Sequence, residues 1–74
     1  MQNDDDILLK IGNRLREIRK AKGYTSYETF AFDNDIPRMH YWRMEKGLAN
    51  ITIRTLEKIL KIHNIGFKEF FNHF

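Results

Sequence analysis

Residues 25–47 read Thr25-Ser26-Tyr27-Glu28-Thr29-Phe30-Ala31-Phe32-Asp33-Asn34-Asp35-Ile36-Pro37-Arg38-Met39-His40-Tyr41-Trp42-Arg43-Met44-Glu45-Lys46-Gly47. Two short helical segments flank a cluster of turn-forming residues. Thr25 and Glu28 have the spacing of a capping box, with Thr25 as N-cap, and Ser26 is a rival cap one residue on. The helix they open covers about residues 26–34 and turns Phe30 and Ala31 inward. Asp33-Asn34-Asp35 breaks it, because Asn and Asp tolerate the left-handed backbone of a tight turn. Pro37 then suits the first turn of a helix, where its missing N–H costs nothing. That helix runs to about Lys46 and stops at Gly47. Tyr41 and Met44 mark its inner face, Arg38, His40 and Arg43 are polar, and Trp42 falls at the edge.

The flanks are helical as well. Upstream, Leu8, Ile11, Leu15 and Ile18 recur at helical spacing and predict a helix from about Ile7 to Lys22, ended by Gly23. Residues 1–6 precede it as a short acidic tail, with Asp4, Asp5 and Asp6 placed to favour the helix dipole. Downstream, Leu48 to Ile51 form a loop, and Thr52 caps a fourth helix carrying Ile53, Leu56, Ile59, Leu60 and His63. Asn64 to Gly66 break the chain again. Phe67, Phe70, Phe71 and Phe74 then fall at i, i+3, i+4 and i+7, an aromatic stripe on a last short helix that is expected first to close the core. No alternating β-branched run argues for a sheet. The expectation is an all-α fold, a compact five-helix bundle forming a single domain over residues 7–74.

The chain has 74 residues, 42% apolar and 31% charged, with six phenylalanines and no cysteine. That is globular composition at the small end of what folds alone. Without cysteine there are no disulfides, zinc-thiolate sites or thiol catalysis. The net charge is +3, and its placement is informative. Residues 10–22 hold six basic side chains against Glu17, a net of +5; residues 23–37 hold only Glu28, Asp33 and Asp35, a net of −3; residues 38–61 hold six basic against two acidic, a net of +4. Blocks of alternating sign suit a fold with one basic face, as nucleic-acid binders have. The acidic N-terminus is unlike a secretory leader and the apolar runs are far too short for a membrane span, so a cytoplasmic location without a membrane partner is expected.

Catalysis finds little support. Ser26 is the only serine and sits at a cap, and Asp33 and Asp35 belong to a turn. His40, His63 and His73 lack the i, i+4 pairing of a helical metal site, so neither metal nor cofactor is expected. What remains is the pair of short helices around a tight turn, at about residues 26–46, which is the helix-turn-helix plan. Its second helix has the diameter to enter the DNA major groove, where side chains near its N-terminus reach base edges.

The stretch Ile11 to Phe71 resembles the Cro/repressor (Xre) family of helix-turn-helix DNA-binding domains, of lambda-repressor-like architecture. Ile11-Gly12-Asn13-Arg14-Leu15-Arg16-Glu17-Ile18-Arg19 is similar to the family's first helix, and Lys22-Gly23-Tyr24 to its closing turn. Phe30-Ala31 matches the Leu-Ala of helix two, Arg43-Met44-Glu45-Lys46-Gly47 the Arg-Ile-Glu-Arg-Gly ending helix three, and Thr52 to Ile59 the start of helix four. The chain departs from the pattern at Asp35, where the turn usually has glycine, at Asn34, usually apolar, and at Trp42, usually small and polar.

The resemblance implies a sequence-specific transcriptional regulator that places the helix from about Pro37 to Lys46 in the major groove of double-stranded DNA. It implies base contacts from Arg38, Met39, His40 and Arg43, and phosphate contacts from Lys46 and Asn50; free amides at Ser26 and Tyr27, with the Tyr27 hydroxyl, are expected to add phosphate contacts at the start of helix two. It also implies a structural ion pair between Arg19 and Glu45, each of which borders an apolar face. Phe71 and Phe74, if partly exposed, would form a homodimer patch and set two recognition helices on an inverted-repeat operator. A second reading stays open at this point: an antitoxin-like module that holds a toxin or other protein partner and also represses its own operon.

Overall fold

The computed structural model describes residues 4–72 and residue 74, and among them it contains five α-helices and no strand. The helices are α1 (Asp4–Ala21), α2 (Tyr27–Asp33), α3 (Arg38–Glu45), α4 (Ile53–His63) and α5 (Phe67–Phe71). His73 lies outside the described residues, as do residues 1–3 of the acidic N-terminus. None of the helices is long and apolar enough to cross a membrane.

Three helix starts differ from the sequence reading, the simplest at α3, where Pro37 is the N-cap and the helix begins at Arg38. The first helix begins at Asp4 rather than Ile7; acidic residues are as favourable inside the first turn as in front of it, since both places meet the positive end of the helix dipole. At α2 the cap is Ser26, not Thr25. The Ser26 Oγ accepts from the amides of Glu28 and Thr29 at 3.1 and 3.2 Å, so the Thr25–Glu28 box does not form. The helix therefore starts one residue later, with Glu28 at its second position. Thr52 caps α4 as its sequence suggests, its Oγ1 accepting from the Thr55 amide at 3.1 Å.

The turn between α2 and α3 depends on one left-handed residue. Asp35 has φ of +61°, where the family usually has glycine. Asn34 completes the end of α2, its Nδ2 donating to the Phe30 carbonyl at 2.9 Å. A polar residue thus serves at a usually apolar position, because its side chain bonds the helix's own backbone.

The core is built from Leu15 and Ile18 of α1, Phe30 and Ala31 of α2, Ile36 of the turn, Tyr41 and Met44 of α3, Leu56, Ile59 and Leu60 of α4, and Phe70 of α5. Phe30 is at its centre. Tyr24 meets it edge-on with centroids 5.2 Å apart, Tyr41 packs at 5.0 Å, and His63 stacks on it at 5.2 Å. Ile53, which shares the helical spacing of Leu56, Ile59 and Leu60, is 70% exposed; it occupies the first turn of α4. The aromatic stripe also divides. Phe70 is buried, while Phe67, Phe71 and Phe74 are between a third and a half exposed. Helix α5 closes at Phe71, and Phe74 follows in a turn with its amide donating to the Phe71 carbonyl at 3.2 Å. One residue of the stripe closes the core, and the others leave an aromatic surface.

His63 makes the fold acid-sensitive. Its Nε2 is buried without a hydrogen-bond partner. Burial, with a smaller contribution from the Lys22 charge, pulls its pKa down to about 4. Because the folded-state value lies below the unfolded value of about 6.5, the stability is fully present above pH 6.5 and is lost as pH falls toward 4. With allowance for its solvent contact the loss is about 1–2 kcal/mol. The melting temperature should therefore fall between pH 6.5 and 4, and a His63→Phe variant should show a flatter profile across that window. Parallel profiles for the two proteins would refute this assignment.

Candidate nucleic-acid interface

Helix α3 is divided lengthwise. At 100° per residue, Tyr41, Met44 and Glu45 fall together on the inner side and are buried. Met39 and Arg43 stand one turn apart at the middle of the outer side, His40 borders them, and Arg38, in the first turn, falls on the same edge as Trp42; Arg38, Met39, His40 and Arg43 are all exposed. Trp42 is half-buried at the helix edge. Few forces within the helix favour this arrangement, for α3 has neither a side-chain cap at Pro37 nor an acidic residue in its first turn. It is held by what it packs against.

The main anchor is an ion pair to α1. The Arg19 Nε donates to Glu45 Oε2 at 2.7 Å and the Nη2 to Oε1 at 3.1 Å, while Nη1 donates to the Tyr24 carbonyl at 2.9 Å. Both side chains are buried, so the fork-to-carboxylate bonds work in a water-poor site where they are strong. The Glu45 carboxylate raises the Arg19 pKa further, against the opposing effect of burial. Burial, reinforced by Glu45, likewise raises the Tyr41 hydroxyl, which stays neutral.

The second anchor was not visible in the sequence. Helices α1 and α3 approach so closely at Gly12 that a Cβ there would lie 2.4 Å from the Glu45 carbonyl oxygen and 2.6 Å from that of Met44. A glycine one residue from an apolar helix position carries no signal of its own; only the crossing point makes it special.

The residues expected to hold phosphate sit at the start of α2 and after α3. Ser26 and Tyr27, half-buried, stand at the start of α2; Lys46 caps the end of α3, and Asn50 is exposed in the loop that follows. Arg43 is tied to that loop. Its Nη2 donates to the Leu48 carbonyl at 2.9 Å, and the Leu48 amide returns a bond to the Arg43 carbonyl at 2.9 Å. Phe71 and Phe74, by contrast, belong to α5 and the turn after it, apart from this cluster, and pack edge to face with centroids 5.0 Å apart.

A family model described as helix-turn-helix matches residues 15–70, which includes both helices of the motif and the core around them. The chain belongs to the Cro/C1-type helix-turn-helix family. It is a DNA-binding transcriptional regulator. This helix-turn-helix protein is 37% identical over 68 residues to the control protein C.MunI of a Mycoplasma species, covering 92% of each chain. It is 35% identical over 57 residues to the control protein C.BamHI of Bacillus amyloliquefaciens, covering 77% of this chain and 70% of that one. The crystal structure of the restriction-modification controller protein C.AhdI from Aeromonas hydrophila superposes with a TM-score of 0.78 at 36% identity, covering 89% of this chain and 98% of that one. These similarities favour the regulator reading over the antitoxin-like one.

Proposed function

We propose that this protein is a controller of a restriction-modification system that docks α3 in the major groove of an operator and reads its bases with Arg38, Met39, His40 and Arg43. The observation that carries the reading is the division of α3: its inner face is locked to α1 through Arg19 and Glu45, and its outer face offers these four side chains to solvent. Arg38 or Arg43 bonds bidentately to guanine O6 and N7, and Met39 meets a thymine methyl. Phosphates are held by Ser26, Tyr27, Lys46 and Asn50, which set the dock without carrying sequence information.

A second copy completes the unit. The partly exposed Phe71 and Phe74 form a self-complementary patch across a two-fold axis, and the two α3 helices then lie about 34 Å apart on an inverted repeat. Selection from a randomised duplex library tests the whole reading: an enriched motif with inverted half-sites about one helical turn apart is expected. Phe71→Asp/Phe74→Asp should sediment as a monomer and lose affinity for the two-half-site duplex far more than for a single half-site. Binding that merely fades with salt and enriches no motif would overturn the proposal.

A further inference from the structure

Glu28 is exposed at the second position of α2; its amide donates to the Ser26 cap, but its side chain takes no part in the cap or the core. Its carboxylate reaches instead to the neighbouring helix, with Oε2 3.7 Å from Nη1 of Arg38. Arg38 stands at the very start of α3, where the helix dipole disfavours a cation and where neither a cap nor an acid of α3 itself compensates. The compensating acid comes from α2, ten residues earlier in the chain. The two side chains share the wall of a cleft of about 540 Å3 with Thr29, Phe32 and Ile36, open to solvent between the two helices of the motif.

We propose that Glu28 is a positioning residue for base readout, fixing the Arg38 guanidinium so that its free edge presents two N–H groups to a guanine. The inference rests on the reading of α3 as the recognition helix. A guanidinium has five donors in a planar fork, so one nitrogen held by a carboxylate leaves a full bidentate edge for O6 and N7. In the free protein the pair is 63% and 55% exposed and adds little to stability. When DNA closes over α3 and excludes water, the same charges interact more strongly. Glu28 also repels phosphate, and this acts against every duplex alike. The benefit appears only where Arg38 finds its guanine, so Glu28 improves discrimination through Arg38, while its repulsion of phosphate lowers overall affinity.

The test compares the full chain with Glu28→Gln on two duplexes, one carrying the selected motif and one with the Arg38-read G·C pair changed to A·T, in the wild-type and Arg38→Ala backgrounds. Glu28→Gln is expected to bind unrelated duplex more tightly, while its preference for G·C over A·T falls by roughly three- to tenfold, the scale of a partly desolvated charge pair. Its melting temperature should stay at the wild-type value. In the Arg38→Ala background the preference should be indifferent to residue 28. If Arg38→Ala lowers the preference and Glu28→Gln does not, the positioning role is wrong and the recognition reading stands. If Arg38→Ala leaves the preference intact, Arg38 does not read that base pair, and this inference falls with that assignment.

Discussion

Glu45→Gln is expected to destabilise the protein by about 3–5 kcal/mol, the cost of leaving a buried charge without its partner. Arg19 has no alternative: its guanidinium is buried, and of its three hydrogen bonds two go to the carboxylate of Glu45 and one to the Tyr24 carbonyl. A neutral amide restores at most one acceptor and no charge. A domain of this length has roughly 4–11 kcal/mol of total stability, so the variant should be largely melted near physiological temperature and should bind DNA only when cooled. Urea unfolding of the two proteins measures the difference directly. The paired variant Arg19→Met/Glu45→Met is expected to lose much less, because it strands nothing. An unchanged unfolding midpoint for Glu45→Gln would mean that the ion pair does not anchor α3.

Gly12→Ala is the second large effect, expected to cost about 3 kcal/mol, at the upper end for overpacking. The added carbon meets backbone carbonyls of Met44 and Glu45 at 2.6 and 2.4 Å, and backbone has no rotamer with which to move aside. Helices α1 and α3 must separate, which also lengthens the Arg19–Glu45 bonds. The helix propensity of alanine, about 1 kcal/mol better than glycine, works the other way at an open helical site and makes the sign diagnostic. A rise in melting temperature on Gly12→Ala would show that the close crossing is absent in solution.

Much of this fold is legible in the chain because local signals agree with one another. Leu15 and Ile18, Phe30 and Ala31, Tyr41 and Met44 are the inner residues that their spacing indicates, and Gly23 and Gly47 end helices with positive φ. Even the unusual Asp35 is readable as a turn residue, since Asp accepts the left-handed backbone. The misreadings have physical causes. Thr25 and Ser26 are both competent caps, and the choice depends on where Phe30 must point, which is a tertiary fact. Phe67, Phe71 and Phe74 have perfect helical spacing, yet a helix this short at the edge of a small core finds room for Phe70 alone.

The site is legible in a different way. The outer residues of α3 stand out as a polar face, and Arg19 and Glu45 as charges beside apolar ones. What supports them is hidden, because it depends on contacts distant in sequence. Gly12 matters only where α3 crosses it, Glu28 only because the turn brings α2 and the start of α3 together, and Arg43 ties the following loop through a carbonyl that no side-chain pattern reveals.

The central claim is that α3 reads base edges. Its most direct test is the affinity of Arg38→Ala for the selected operator and for every single base-pair change within one half-site. Direct readout predicts a loss concentrated at one G·C pair, about 1–3 kcal/mol, at which the variant no longer discriminates while other positions keep their wild-type preferences. A loss spread evenly over all sequences, with a shallower salt dependence, would show that Arg38 holds only the phosphate backbone and would contradict the account.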